Sequence, residues 1–304
     1  MTIAVFGAGA VGGFFGALLA RAGQDVRFIA RGAQLDALLR SGIDIQSTLL
    51  GHLRVPEVRA TARATEIGPV DVVLLCVKAH QTAAVLDALT PLVAPDTVIV
   101  TLQNGVESDD VVAERFGRSR VIPAVVYVGA TLEQPGRISH VAAGTIALGL
   151  PDGMPRSRVE GIRDLLATSG QPVRVVEDVR HDRWRKLLWN ASFNTVSAIT
   201  GRDPGDLLRR PETRALLAAI MREVVAVARA QGIGLDDHDV EDQITWTERA
   251  GAIRTSTAVD RERGREMEID ALIGVVVRRG KQLDVPTPCS EVMLALLRGV
   301  EDQT

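Results

Sequence analysis

The sequence is poor in aromatic residues, with six Phe, three Trp and one Tyr among 304 residues. Surfaces on which nucleic-acid bases stack and clefts that bind carbohydrate both need several such rings. Charge of one sign is also lacking, because the formal net charge is −3 and basic and acidic residues are interspersed. Without a basic field to attract phosphate backbones or anionic lipid, we expect no nucleic-acid partner and no membrane partner.

Cysteine and long apolar runs are scarce as well. Cys76 and Cys289 lie far apart, with no C-x-x-C spacing and no His-rich tract, so no metal site is predicted. Cys76 sits in the apolar run VVLLCVKA, which favours a buried free thiol and a reducing cytoplasm. The N-terminus has no basic region before its apolar stretch, and no run reaches the ~18 residues of a membrane span. A cytoplasmic protein is expected.

Short β-branched runs alternate with segments of helical spacing up to about residue 150. The predicted strands are Ile3–Phe6, Asp25–Ala30, Val70–Val77, Thr97–Leu102, Val121–Val128 and Ile146–Leu150. The predicted helices between them are Gly12–Ala22, Ala33–Arg40, Gln81–Leu92 and Asp109–Phe116. This alternation predicts βαβ units, and hence an α/β domain with a parallel sheet covered by helices on both faces.

The pattern changes to long amphipathic segments near Arg180, after one more helix at Ser157–Ser169 and a last strand at Val173–Val176. The predicted helical segments are Arg180–Thr200, Glu212–Gln231, Asp239–Ala250, Ala258–Lys281 and Cys289–Gly299. We therefore expect a Rossmann-type domain over residues 1–177 and an all-α domain over residues 178–304.

The sequence GAGAVG follows the first predicted strand and opens the first predicted helix. It has the spacing G-x-G-x-x-G, in which the first glycine allows a tight turn, the second a close approach of a diphosphate, and the third close packing of helix on strand. A glycine cluster alone also serves ordinary turns, but this placement favours a dinucleotide site. The residues predicted to contact the cofactor here are Gly7, Ala8, Gly9, Ala10, Val11 and Gly12.

The tip of the second strand indicates which dinucleotide is bound. An NAD-specific fold places Asp or Glu there to hold the ribose hydroxyls, whereas this chain has FIARG, with Arg31 and no acid. A guanidinium suits the charge and geometry of a 2′-phosphate, so NADP(H) is the predicted cofactor. A solvated arginine at a strand end is the alternative.

Polar residues follow the next two strands. Lys78 in CVKAHQ and Asn104 in QNG both come directly after a predicted strand. Ligands of open parallel sheets bind beyond the carboxyl ends of the strands, so these two side chains are predicted to line the site.

The helical half contains a stripe of hydrogen-bond donors. Lys186, Asn190 and Asn194 have the spacing i, i+4, i+8, which predicts one shared helix face without an acidic residue. This pattern favours a ligand-facing stripe in which Lys186 supplies a proton, although two exposed amides beside a lysine would have the same spacing. Further on, Thr257 and Asp260 resemble a capping box, which predicts a helix from Ala258 with Ser256 at its N-terminus. Glu268 is expected about three turns further along that helix.

Taken together, these motifs resemble the ketopantoate reductase (2-dehydropantoate 2-reductase) family over essentially the whole chain. The resemblance is carried by GAGAVG at Gly7–Gly12, Arg31, CVKAHQ, QNG, KLLWNASFN, STAVD and EID. It implies a Rossmann domain followed by a helical domain for substrate and dimerisation, and it allows a homodimer. It also implies NADPH-dependent reduction of a small 2-oxo acid, 2-dehydropantoate, to pantoate in coenzyme A biosynthesis.

The resemblance implies residue roles as well. Lys186 would be the proton donor and Glu268 a catalytic residue near cofactor and substrate. The implied substrate contacts are Asn104, Lys186, Asn190, Asn194 and Ser256, and the implied cofactor contacts beyond the glycine turn are Arg31, Lys78, Asn104, Ala130 and Glu268.

One departure from the family bears on the substrate. Many members have a further asparagine about ten residues after the second Asn of the helix, where this chain reads TGRDPGD. A paralogous reductase of another small 2-oxo acid is therefore the alternative function. A non-catalytic NADP(H) sensor is a third hypothesis, although a sensor has no need of the Lys-Asn-Asn stripe.

Overall fold

The computed structural model describes residues 1–250 and 254–301. The chain divides into two units, Met1–Val179 and Arg180–Thr304. The first unit is built on a sheet, and the regular elements described in the second unit are helical.

Ten strands of the first unit form one sheet. The strands are β1 (Thr2–Phe6), β2 (Asp25–Ile29), β3 (Ile43–Ser47), β4 (Gly51–Val55), β5 (Arg59–Thr61), β6 (Val70–Leu75), β7 (Val93–Thr101), β8 (Val121–Gln134), β9 (Arg137–Leu148) and β10 (Val173–Val175). The helices are α1 (Ala10–Arg21), α2 (Gly32–Ser41), α3 (Thr82–Leu89), α4 (Ser108–Phe116) and α5 (Arg156–Ala167). The strand order is β4-β3-β9-β8-β7-β6-β1-β2-β5, and β10 pairs with β9.

The parallel strands at the centre of the sheet end at one level. Phe6 is paired with Ile29 of β2 on one side and with Leu75 of β6 on the other, and Leu75 is paired with Thr101 of β7. From β1 the chain forms β2 on one side, crosses to β3 and β4 at the opposite edge, returns to β5 beside β2, and then forms β6 on the other side of β1. The strand order therefore reverses at β1, which is where ligands bind in doubly wound sheets.

The sheet confirms the Rossmann-like class but is not purely parallel. Two pairs are antiparallel: β3 with β4, and β8 with β9. The predicted parallel sheet is confirmed for the central strands, and strands β3 and β4, which were not predicted, add an antiparallel pair at one edge. Strand β8 also continues past the predicted end at Val128 to Gln134, and bulges keep it paired with β9.

Helix α1 packs closely because glycines face its neighbours. A Cβ atom on Gly13 would lie 2.6 Å from Cδ1 of Ile138, and one on Gly16 would lie 2.5 Å from Cε1 of Phe28. The ring of Phe14 lies against His140, with centroids 4.3 Å apart. His140 is fully buried and bonded through its two ring nitrogens to Ser47 Oγ and to a backbone carbonyl. Bulk on this face of α1 would therefore push against side chains that have no room to move.

The second unit consists of helices and two π-helical turns, named π1 and π2 here. Its elements are α6 (Val179–Trp189), π1 (Asn190–Asn194), α7 (Thr195–Thr200), α8 (Pro204–Leu208), α9 (Pro211–Ala230), α10 (Asp237–Ala250), α11 (Ser256–Glu262), π2 (Asp270–Gly274), α12 (Val275–Gln282) and α13 (Pro288–Glu301). The carboxylate of Glu223 in α9 accepts hydrogen bonds from the backbone amides of Cys289 and Ser290 and so caps the start of α13.

The predicted continuous helix Ala258–Lys281 was wrong. Helix α11 ends at Glu262, and Gly264 adopts a positive φ of 59° that turns the chain. The cap was also misplaced: the hydroxyl of Thr255, rather than that of Thr257, accepts a hydrogen bond from Ala258 N at 3.3 Å. Glu268 consequently lies outside α11, in the connection that precedes π2.

In the part of the chain that the structure describes, no helix is both long and apolar enough to cross a membrane.

The packing of α1 leads to a stability prediction. Gly16→Val should lower the free energy of unfolding by about 1–3 kcal/mol, because the new methyl groups meet the buried Phe28 and Val5. Urea unfolding followed by far-UV circular dichroism measures the change. The control is Gly161→Val on α5, where a Cβ meets no atom within 4 Å, and its effect should stay below about 0.5 kcal/mol. Equal losses in the two variants would contradict the packing argument.

Candidate active site

The glycine-rich turn connects β1 to α1 at the reversal of the strand order. Gly7 has φ of +100°, and a Cβ atom there would lie 2.8 Å from the backbone nitrogen of Val77. A Cβ on Gly12 would lie 2.2 Å from the carbonyl oxygen of Gly7 and 2.9 Å from Cβ of Cys76. Both positions therefore require glycine, for conformation and for space. Cys76 is a free cysteine, and burial raises the pKa of its thiol.

Gly9 differs from these two glycines. A Cβ atom at Gly9 would meet no protein atom within 4 Å, so the packing of the chain does not explain the glycine. Gly9 is the N-cap of α1, and the first amides of an α-helix have no acceptor within the helix. A turn with open space at its N-cap and helix amides behind it fits a diphosphate, so the residues present fit a dinucleotide cofactor.

Arg31 lies where a 2′-phosphate contact is expected. It is exposed and extended, and it forms the N-cap of α2 directly after β2. A second arginine, not predicted from the sequence, lies at this edge. Strand β5 pairs with β2 so that Thr61 lies opposite Ile29, and Arg63 follows β5 as Arg31 follows β2. Arg63 is paired with Glu66, and the short strand Arg-Ala-Thr gave no β signal.

Lys78 and Asn104 follow the neighbouring strands β6 and β7, whose last residues, Leu75 and Thr101, are paired. Both side chains are partly buried. The strand pairing therefore places these two residues beside the glycine turn along one edge of the sheet. Ala130 lies on β8 beyond the residues that pair with β7; it is opposite His140 of β9 and packs against the core that includes α1.

The Lys-Asn-Asn stripe does not lie on a regular α-helix. Lys186 is in the last turn of α6, and Asn190 to Asn194 form the π-helical turn π1. A π turn has i→i+5 bonding in place of the predicted α-helical bonding, and the prediction that Lys186, Asn190 and Asn194 share one helix face stays a prediction. The alternative that the two asparagines are exposed is wrong, because Asn190 is 6% and Asn194 2% exposed. Turns of this kind are frequent at functional sites.

Lys186 and Glu268 come together through the two π turns. Glu268 is 4% exposed, and its carbonyl accepts a hydrogen bond from Leu272 N at the start of π2. Turn π2 packs against π1, which directly follows α6. Burial lowers the pKa of Lys186 to about 8; the nearby charge of Arg183 acts in the same direction, and that of Glu268 opposes it. A lysine with this pKa is protonated near neutral pH and releases its proton more easily than an exposed lysine.

Two buried side-chain oxygens in the segment after Lys186 have no hydrogen-bond partner within the described residues: Oδ1 of Asn194 and Oγ of Ser197. Other hydroxyls of the segment bond back to the helix, as Ser192 does to Leu188 O and Thr195 to Ala191 O. Ser197 is 1% exposed. Buried polar atoms without partners are rare in folded proteins, so these two are candidates for ligand contacts. Ser197 was not predicted from the sequence, in which its only signal is its place three residues after Asn194.

Ser256 is the first residue of α11 and is exposed. Its helix packs against α7. The structure thus places Ser256 on a helix that packs against α7, the helix that follows Asn194. Contact between Ser256 and the substrate stays a prediction. Among residues 1–250 and 254–301, no group of three or more His, Cys, Asp or Glu could hold a metal ion.

Comparison with known proteins identifies the family. The family model for ketopantoate reductase PanE/ApbA matches residues 3–153, and the model for the C-terminal part of the same family matches residues 178–301. A 2-dehydropantoate 2-reductase of Mesorhizobium japonicum is 36% identical over 98% of this chain and 97% of its own length. The chain belongs to the ketopantoate reductase family. It is accordingly a nicotinamide-dependent oxidoreductase that acts on CH–OH groups.

Solved structures agree with this assignment. The 2-dehydropantoate 2-reductase from Geobacter metallireducens GS-15 is 33% identical, with a TM-score of 0.94 and coverage of 100% of both chains. A ternary structure of D-mandelate dehydrogenase with NADH and anilino(oxo)acetate is 25% identical, with a TM-score of 0.91 over 100% of this chain and 99% of the other. The ketopantoate reductase fold thus also occurs in an enzyme named for a different 2-hydroxy acid.

The charges around Lys186 lead to a prediction for this family member. Glu268→Gln should lower the pKa of Lys186 below about 8, because it removes the charge that opposes the effect of burial. The chain has three lysines, Lys78, Lys186 and Lys281, so NMR titration of ¹³C-dimethylated lysines resolves them. The control Glu291→Gln, which removes the partner of Lys281, should leave the pKa of Lys186 unchanged. A Lys186 that titrates at the ordinary value of a lysine in a model peptide would contradict the burial argument.

Proposed function

We propose that this chain reduces 2-dehydropantoate to pantoate with NADPH, in the formation of the pantoate unit of coenzyme A. The observation that carries the proposal is Lys186, which has a pKa of about 8 beside the buried Glu268 and directly before a π turn with two buried asparagines. The names of the relatives supply the substrate.

The preference for NADPH rests on the end of β2. Arg31 is exposed there, and no acidic residue follows the strand in FIARG to hold ribose hydroxyls. A guanidinium forms bidentate hydrogen bonds with a phosphate group, which only NADPH has at the 2′ position. The NADH complex of D-mandelate dehydrogenase shows that a related fold accepts the other cofactor, so Arg31 is the residue on which the preference depends.

Lys186 would act as the general acid. When bound, a reduced nicotinamide supplies a hydride to the carbonyl carbon of the 2-oxo acid, and negative charge develops on the carbonyl oxygen. The ammonium group of Lys186 would polarise this oxygen and then donate a proton to it, which yields the hydroxyl of the product and a neutral lysine. The lowered pKa makes the proton easier to give, and solvent reprotonates the amine after the turnover.

The remaining residues would bind and orient the reactants. The buried amides of Asn190 and Asn194 would donate hydrogen bonds to the substrate, and the carbonyl oxygen of Asn194 would accept one. Ser256 is assigned to the substrate carboxylate, and Lys78, Asn104 and Ala130 to the nicotinamide end of the cofactor. Glu268 would hold Lys186 in its protonated form until transfer, because its charge raises the pKa of the lysine.

A second candidate function is the reduction of another small 2-oxo acid. The segment that usually carries a further asparagine reads TGRDPGD here, and Pro204 begins α8 with Asp203 as its N-cap. These residues serve the helix start rather than offering an amide. The structural likeness to D-mandelate dehydrogenase also favours this candidate.

Steady-state rates separate the two candidates. The substrates are 2-dehydropantoate, 2-oxoisovalerate (the same acid without the hydroxymethyl group) and phenylglyoxylate, each with NADPH and NADH. We expect kcat/KM to be at least about tenfold higher for 2-dehydropantoate with NADPH than for any other pair. A higher value for phenylglyoxylate would favour the second candidate, and equal rates with NADH would contradict the role of Arg31.

Replacement of Lys186 tests the general acid. Lys186→Ala should lower kcat by about 10²–10⁴-fold and leave the Kd for NADPH nearly unchanged. In the wild type, kcat for reduction should fall as pH rises through about 8, because the lysine must carry its proton. The control is Lys281→Ala, which removes a lysine paired with Glu291 and should keep full activity. Unchanged turnover in Lys186→Ala would refute the assignment.

A further inference from the structure

Gln34 joins the glycine-rich turn to a distant turn of the sheet. It lies in the first turn of α2, three residues after Arg31. Its side-chain Nε2 donates a hydrogen bond to the carbonyl oxygen of Ala8 at 2.7 Å, and its Oε1 accepts one from the backbone amide of Gly136 at 2.9 Å. The side chain of Gln34 therefore donates one hydrogen bond and accepts another, and the two backbone groups that it contacts are far apart in the sequence.

The second of these turns is firmly held. Gly136 lies between β8 and β9 with φ of +77°, and its carbonyl accepts a hydrogen bond from Asp44 N at 2.8 Å. A Cβ atom on Gly136 would lie 3.2 Å from both Cβ of Ala37 and the carbonyl oxygen of Gly42. The β8–β9 turn thus packs on the body and the end of α2. Because Gln34 bonds to both Gly136 and Ala8, it holds the Ala8 carbonyl in a fixed position relative to this turn.

The bond to Ala8 also sets the direction of the next amide. Ala8 and Gly9 share a planar trans peptide unit, in which C=O and N–H point in opposite directions. A fixed Ala8 carbonyl therefore turns the Gly9 N–H away from Gln34. Gly9 is the N-cap position where a Cβ would meet open space and where a diphosphate would approach.

We propose that Gln34 is a positioning residue that holds the Ala8–Gly9 peptide in the orientation for binding a cofactor diphosphate. The inference rests on the proposed function of the glycine-rich turn as the dinucleotide site. The diphosphate is common to NADP⁺ and NAD⁺, so the effect of Gln34 is the same for both. Arg31, at the start of the same helix, discriminates between them.

Two variants test the proposal by isothermal titration calorimetry with NADP⁺ and NAD⁺. Gln34→Met keeps the length of the side chain but removes both hydrogen bonds, and it should raise the Kd for each nucleotide by about 5- to 30-fold. Arg31→Ala should raise the Kd for NADP⁺ by about 10-fold or more and leave that for NAD⁺ unchanged. At saturating NADPH, the kcat of Gln34→Met should stay within about twofold of the wild type.

Gln34→Glu gives a signature that a merely structural role would not produce. An ionised carboxylate accepts the bond from Gly136 N but faces the Ala8 carbonyl oxygen without a proton, whereas a protonated carboxyl both donates and accepts. The Kd of this variant for NADP⁺ should therefore be raised at pH 8 and return toward the wild-type value as the pH is lowered to about 5. This variant also keeps the test open if Gln34→Met fails to fold.

The control is Gln24→Met, since Gln24 follows α1 and its side chain bonds only weakly to Thr168 Oγ1 at 3.4 Å. It should bind both nucleotides as the wild type does. Wild-type affinity in both Gln34 variants, or a loss confined to NADP⁺, would overturn the inference while leaving the proposed function intact. A wild-type chain that binds neither nucleotide would instead refute the proposed function.

Discussion

The close approach of α1 to β1 is the constraint on which the N-terminal unit depends. The turn between them is so tight that a Cβ atom on Gly12 would lie 2.2 Å from the carbonyl oxygen of Gly7. Because of this close approach, α1 begins next to the end of β1, where the strand order reverses. Because β2, β6 and β7 end at the same level as β1, the residues that follow them reach the same edge. One steric requirement thus aligns the helix dipole, the glycine-rich turn and the side chains after three further strands.

In the helical unit, burial changes the acid–base properties of Lys186. Lys186 has a lowered pKa because its surroundings solvate the ammonium poorly, and the acidic group that compensates comes from a segment more than eighty residues away in the chain. The two π turns bring these groups together, since each begins close to one of them and they pack on each other. The first of these turns holds the two buried asparagines, Asn190 and Asn194, and π turns are frequent at functional sites.

The sequence predicted the elements that carry strong local signals. The β-branched runs of β1, β2 and β6 and the amphipathic pattern of α9 were recognised within a few residues of their bounds. Strands β3 and β4 were missed because their pairing, with each other and with β9, stabilises residues of weak β propensity. The helix from Ala258 was extended too far, because apolar spacing continues through the break at Gly264 and hides it.

Local signals along the chain were sufficient to predict the class of fold, the glycine-rich turn after β1, the arginine after β2 and the family. These features depend on local periodicity and on residue types at short spacing, which are visible along the chain. Three other features are visible in the folded protein and not along the chain: Lys186 lies near Glu268, Asn190 and Asn194 are buried in a π turn, and Gln34 connects Ala8 to Gly136 by hydrogen bonds. Burial and long-range contacts set pKa values and hydrogen-bond partners, and neither is encoded in the spacing of residues within one segment.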